Sequence, residues 1–142
     1  MAIRTLTAIW TGPTGSATAV VTLDTDLVTT TPGGAINIDQ VQDLTLTVQG
    51  ARAGNGTYGK ADFSALQFYS NFPLDFSKPL VGQTGGSADF SFGTLDALGS
   101  AGDFNPVSAG GATTPVGVAA FTIVTNGGNE PSDILKIASI NP

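Results

Sequence analysis

The sequence has no histidine and no cysteine, and it is poor in charge, with 5 Lys+Arg against 11 Asp+Glu in 142 residues. Without His there is no Ser-His-Asp triad and no imidazole metal ligand. Without Cys there are no disulfides, thiolate nucleophiles or zinc-thiolate sites. A net charge of −6 leaves too few cations to neutralise a nucleic-acid backbone or to hold an anionic membrane. No stretch approaches the ~20 consecutive apolar residues that a membrane-spanning helix needs. The segment Met1-Ala2-Ile3-Arg4-Thr5-Leu6 carries one cation and alternates, so it contains no secretory h-region. No run of ordinary helical length, ~11 residues, shows a 3.6-residue apolar period.

What is present is Thr, Gly, Ala and branched aliphatics in alternating runs. At 41% hydrophobic residues the chain can build a core without staples, and its length suits one domain spanning 1–142. Alternation over Ile3–Thr11 sets Leu6, Ala8 and Trp10 on one face and Ile3, Thr5, Thr7 and Ile9 on the other, so the strand is expected to pack both faces at least in part. The turn Gly12-Pro13-Thr14-Gly15-Ser16 leads into a second strand over Ala17–Thr25, which suggests an antiparallel hairpin. Gln42–Gln49 is the clearest strand, with Leu44, Leu46 and Val48 against Thr45, Thr47 and Gln49. Further strands are expected over Leu66–Ser70, Leu74–Phe76, Ala88–Phe92 and Val116–Thr125. Asp133–Ile140 reads as a strand in preference to a short helix, because it is partly β-branched and follows the turn Asn126-Gly127-Gly128-Asn129. Asp62-Phe63-Ser64-Ala65 reads as one helical turn capped by Asp62, and Gly99–Gly111 as a loop. The sum is an all-β protein: an antiparallel β-sandwich, jelly-roll-like, with at most one or two short helical turns.

Few residues suggest chemistry. Asp24-x-Asp26 sits where a strand runs into a loop, so the two carboxylates are either solvated strand-end residues or ligands of a structural calcium ion. The EF-hand spacing is absent. Trp10, Tyr58 and Tyr69 are rings on which a carbohydrate would stack if they were exposed, with Phe68 and Phe72 nearby in sequence; the bland alternative is core packing. Tyr69 and Phe68 are adjacent in a strand, so one of them should face outward. Asn55 heads a glycosylation sequon, but Gly54-Asn55-Gly56 is first of all a good turn. The Gly clusters at 82–86 and 110–111 precede no helix, so they do not make a phosphate cradle. The single Glu, Glu130, has no evident partner for carboxylate-pair catalysis, and Lys60, Lys78 and Lys136 sit in no nucleophile motif. No catalytic residue is assigned and no cofactor beyond the calcium is expected.

Trp10-Thr11-Gly12-Pro13, the strand running to Asp24-Thr25-Asp26-Leu27-Val28, and Leu44-Thr45-Leu46-Thr47-Val48 with Ala53-Gly54-Asn55-Gly56-Thr57 form an ordered series. Asp62-Phe63-Ser64 and Phe121-Thr122-Ile123-Val124-Thr125-Asn126-Gly127-Gly128 continue it to Ile140-Asn141-Pro142. In this order of features the chain resembles the ectodomains of bacterial PEP-CTERM proteins, which exosortase systems sort to the cell surface. The resemblance implies an extracellular or cell-surface location, a Val-Pro-Glu-Pro sorting signal and membrane tail beyond the ectodomain, and a matrix, adhesion or coat role with no catalytic residues. The leading expectation is therefore a non-catalytic structural protein of an extracellular matrix or coat, self-associating as a homo-oligomer or fibre. A carbohydrate- or calcium-binding module is the second reading, and a viral coat or decoration protein the third.

Overall fold

The computed structural model describes residues 2–28, 30, 34–85, 91–93, 102–118 and 121–142. In chain order its strands are β1 (Ile3–Thr11), β2 (Ser16–Asp24), β3 (Ala35–Asn37), β4 (Val41–Gln49), β5 (Gly56–Tyr58), β6 (Phe63–Ser70), β7 (Gly102–Ser108), β8 (Val116–Val118), β9 (Thr122–Val124) and β10 (Ile134–Asn141). They form a seven-stranded sheet in the order β5-β4-β2-β1-β10-β9-β8 and a three-stranded sheet in the order β3-β6-β7, and every pairing is antiparallel. The only helical pieces among the described residues are single 3₁₀ turns. This is the all-β antiparallel sandwich that the alternation predicts.

The larger sheet is built on β1 and β2, which pair over their full nine residues from Ile3↔Asp24 to Thr11↔Ser16. Leu6, Ala8 and Trp10 on β1, Ala17, Ala19, Val21 and Leu23 on β2, and Leu44, Leu46 and Val48 on β4 all turn inward. The facing side comes from β6 and β7, through Leu66, Phe68 and Phe104. At the centre Trp10 stacks on Phe104 (ring centroids 5.9 Å apart), and Phe104 meets Phe68 edge to face at 4.7 Å. Such ring pairs add roughly 0.5–1.5 kcal/mol to the area they bury. The Trp10 indole nitrogen has no hydrogen-bond partner among the described residues.

Along one side the two sheets close on each other. Asn105 on β7 donates from Nδ2 to the carbonyl of Val118 on β8 (3.0 Å). The approach is tight because β8 carries Gly117: a Cβ there would overlap Asn105 Oδ1 and the Pro106 carbonyl.

Four local expectations change. The helical turn lies three residues upstream, at Lys60–Asp62, with Gly59 and not Asp62 at its N-cap and Asp62 accepting the Gly59 N–H (2.9 Å); Phe63 already starts β6, since its ring belongs to the core. Leu74–Phe76 is not a strand: it belongs to an irregular loop held by Gln83, whose side chain bonds the backbone of Asp75 and Pro79. Val116–Thr125 is two short strands, β8 and β9, folded onto each other with Val116 opposite Val124. Gly102–Ser108, inside the expected loop, is β7, and buries Phe104 although Gly102, Asp103, Asn105 and Pro106 are poor strand formers. Most of the strand expected at Ala88–Phe92 lies outside the described residues.

Candidate functional site

The Asp24-x-Asp26 pair lies where β2 leaves the sheet. Thr25–Leu27 makes one 3₁₀ turn there, and Asp24 caps it by accepting the Asp26 N–H on Oδ1 (2.9 Å). The same oxygen accepts the Ala2 N–H (3.1 Å), while the Thr25 N–H (2.9 Å) and Oγ1 (3.1 Å) donate to the Ala2 carbonyl. These donors favour the ionised carboxyl, so the Asp24 pKa falls below the usual aspartate value, first through Ala2 and then through Asp26. Asp24 is thus committed to tying the chain start to the end of β2. Among the described residues no group of three or more acids gathers as a cation cage.

Asp26 points elsewhere. It stands at the rim of an open cleft of ≈ 260 Å³ formed where the end of β2 in one sheet faces the end of β6 in the other. Thr25, Asp26, Thr30 and Ser70 supply its polar side. Phe72, Leu74 and Phe76 supply the apolar side, from the loop that follows β6. Ser70 is buried and accepts the Phe72 N–H on its hydroxyl (3.3 Å), which turns the Phe72 ring inward. Phe76 rests edge to face on the core ring Phe68 (6.2 Å). Gln83 pins the same loop, accepting the Asp75 N–H (2.8 Å) and donating to the Asp75 (2.8 Å) and Pro79 (3.0 Å) carbonyls. Asp75 in turn accepts the Ser77 hydroxyl and N–H (3.0 Å), and these, the hydroxyl first, hold its carboxyl below the usual range. The apolar wall is therefore preformed.

The three candidate rings lie away from this cleft. Trp10 is fully buried, since its parity on β1 places it with Leu6 and Ala8. Tyr58 is 8% exposed, with its hydroxyl donating to the carbonyls of Gly54 (2.6 Å) and Thr113 (3.0 Å). Tyr69 is 4% exposed and Phe68 is fully buried, so neither turns to solvent: β6 is covered on both sides at this point. None of the three offers an open ring face to a sugar, and their role is packing. Asn55 closes its own loop, accepting the Ala51 N–H (2.8 Å) and donating to the Ala51 carbonyl (2.7 Å), as the turn reading requires.

Of the residues singled out for binding, Asp26 alone lines the cleft, joined by Phe72 from the wider set of rings. Thr30, Ser70, Leu74 and Phe76 carried no sequence signal beyond the break at Phe72-Pro73. Comparison with protein-family models, with curated proteins and with solved structures finds no match to this chain.

Proposed function

We propose that this chain is a non-catalytic structural protein of an extracellular matrix or coat, secreted or held at the cell surface, which associates with copies of itself through the outer face of its larger sheet. One observation carries the reading. The exposed large aliphatics among the described residues are Ile3, Val20, Val118 and Ile134, and all four point outward from that one sheet. Thr5, Thr7, Thr18 and Thr22 lie on the same face of β1 and β2, and Thr45, Thr47 and Thr57 extend it onto β4 and β5. Across strands these hydroxyls bond each other, Thr5 to Thr22 (2.8 Å) and Thr47 to Thr57 (3.3 Å), so part of their polarity is already met within the face. From Thr5 to Thr11, Ser16 to Thr22 and Thr45 to Gln49 no outward side chain is ionised; Lys136 on β10 stands within the face, between Thr11 and Thr122, and Asp24 and Asp43 stand toward its ends. The part of the face on β1, β2 and β4, free of ionised groups, loses little on desolvation.

The sheet edges are poorer templates. β5, β8 and β3 are three residues long, and β7 lies against β8 and carries Pro106. Short edges and proline discourage strand addition, which favours the face over the edge as the contact. Light scattering over a wide concentration range tests this. The wild type is expected to gain mass with concentration, and a Val20→Lys, Ile134→Lys double variant to remain monomeric with unchanged melting. A wild type that stays monomeric throughout overturns the reading. Fractionation of source cells, with the chain expected in the matrix or surface fraction, tests the setting.

A further inference from the structure

Two charges on the outer face of the larger sheet lack an opposite charge beside them, and their places limit how two copies can meet. Lys136 is exposed on β10, opposite Thr11, and has no ion-pair partner among the described residues. Asp43 is exposed on β4, opposite Thr22. Its Oδ1 accepts the Leu44 N–H (2.9 Å), and its Oδ2 has no partner among the described residues. Asp24, the other carboxylate of the face, is already committed to the Ala2 and Asp26 N–H groups. The strand registers fix the separation. Lys136 lies in the row of Thr11 and Ser16, and Asp43 in the row of Thr22 and Thr5. The two are thus three strands apart across the sheet and six residues apart along β1, about 14 Å and about 20 Å at ordinary strand spacing and rise. They stand at diagonal corners of the β1–β2 hairpin, beyond contact within one copy.

A second copy can join them. When one face stacks on its own copy about a two-fold axis, residue i of the first meets residue j of the second, and j of the first meets i of the second. An axis lying across the diagonal sets Lys136 of each copy over Asp43 of the other and closes two ion pairs at once. We infer that the self-association proposed above, on which this inference rests, is a closed two-fold dimer in this register. The midpoint of the diagonal falls between β1 and β2, among Thr7, Ile9, Thr18 and Val20. Val20, 41% exposed, therefore packs near the axis on the half-buried Ile9 of the second copy. The strands of the two copies cross at roughly 70°, toward the orthogonal class of sheet packing. Copies stacked with their strands parallel or antiparallel would hold Lys136 and Asp43 at least about 14 Å apart and lose both ion pairs, so the charges select the oblique register. A contact that closes on itself leaves no free copy of the face, and growth stops at two chains.

Sedimentation equilibrium of the full chain tests this. The wild type is expected to level off at twice the monomer mass. Lys136→Glu sets carboxylate against carboxylate at both ends of the contact, and Asp43→Lys sets ammonium against ammonium. Each should weaken the dimer about tenfold or more. The combined Lys136→Glu, Asp43→Lys variant restores opposite charges and should return to within about threefold of the wild type. Both residues are exposed, and thermal melting checks that each variant is folded. Raising the salt from about 0.01 M to about 1 M should narrow the gap between the wild type and the single variants, because surface charges are then screened. The inference is overturned, with the association reading intact, if the wild type grows past the dimer or if the single variants associate as tightly as the wild type. The same holds if the combined variant is no tighter than the single ones, or if salt leaves the gap unchanged. A wild type that stays monomeric overturns both.

Discussion

Arg52 and Asp133, 81 residues apart, hold two loops of the larger sheet together through three bonds. The Arg52 backbone N–H donates to Asp133 Oδ2 (2.8 Å), its Nε donates to Oδ1 (2.7 Å), and its Nη2 donates to the Ser132 carbonyl. Arg52 follows β4, and Asp133 stands just before β10, where its own N–H donates to Thr125 Oγ1 (2.8 Å). Asp133 is 7% exposed and Thr125 fully buried, whereas half of the Arg52 side chain remains in water.

The asymmetry of that pair predicts unequal variants. Arg52→Ala keeps the backbone donor to Asp133 and releases a guanidinium that was already half solvated. Asp133→Ala removes the acceptor of both Arg52 bonds and leaves a part-buried N–H without its partner. Thermal melting should therefore fall clearly for Asp133→Ala and only slightly for Arg52→Ala. Equal losses would mean that the ion pair, and not the backbone bond, ties the loops.

Acid should destabilise the fold. Asp133 titrates below the usual aspartate value, first because of the Arg52 backbone N–H and then its guanidinium; Asp24 and Asp75 are lowered by their own donors. A carboxyl whose pKa is lower when folded binds protons more readily when unfolded. Its stabilising effect is fully present above the unfolded value of about 3.9 and is lost as the pH falls through the folded value. Melting temperature should thus hold steady well above pH 4 and drop below it, with a shallower drop in Asp133→Asn. With no His in the chain, no step is expected between pH 5 and 8 from side chains of that type.

The single tryptophan reports on the core. Trp10 is fully buried, stacked on Phe104, and its indole nitrogen lacks a partner among the described residues. Its fluorescence should lie at short wavelength in the folded chain and move to the red on unfolding. Trp10→Ala should cost about 3–5 kcal/mol, read as a shift in denaturation midpoint. Trp10→Phe should cost much less, because it leaves the ring stack largely in place and removes an unsatisfied donor. Similar losses for the two variants would show that the indole volume, and not the ring stack, is what the core requires.

The seam between the sheets rests on Gly117. Gly117→Ala would push a methyl into Asn105 Oδ1 and the Pro106 carbonyl, both on β7. Overpacking at such a contact costs about 1–3 kcal/mol. Denaturation by urea should show a lower midpoint at an unchanged slope, and hydrogen exchange should rise first along β8. An unaltered midpoint would mean that the two sheets can separate here without loss.

Much of the fold was legible because alternation is local. On β1, β2 and β4 the structure buries Leu6, Leu23 and Leu46 from apolar faces legible in the sequence, while the second face of β1 is exposed at Ile3 and Thr5 and half-buried at Thr7 and Ile9; on β10 a register shift opposite Ile9 and Trp10 breaks the alternation, so Leu135, Ile137 and Ile140 turn inward. β7 was hidden, since Gly102, Asp103, Asn105 and Pro106 argue for a loop, and only pairing with β6 and the burial of Phe104 make it a strand. Tyr69 misled for a related reason: parity says that it points away from Phe68, but parity does not say whether the other side of a sheet is covered. Of the cleft, Asp26 was visible as part of a pair, and its partner Asp24 proved to be a cap.

The sequence alone determined the all-β class, the inward residues of β1, β2 and β4, and the absence of thiol and imidazole chemistry. These follow from side-chain type and from the two-residue repeat of the pleat, neither of which depends on what lies across the core. Tertiary structure decided that β1 pairs with β10 as well as β2, that Arg52 reaches Asp133, and that Asp26 faces Phe72 across a cleft. Each of these joins residues far apart in the chain, and such contacts are set by how the whole apolar surface is buried at once, which no local pattern encodes.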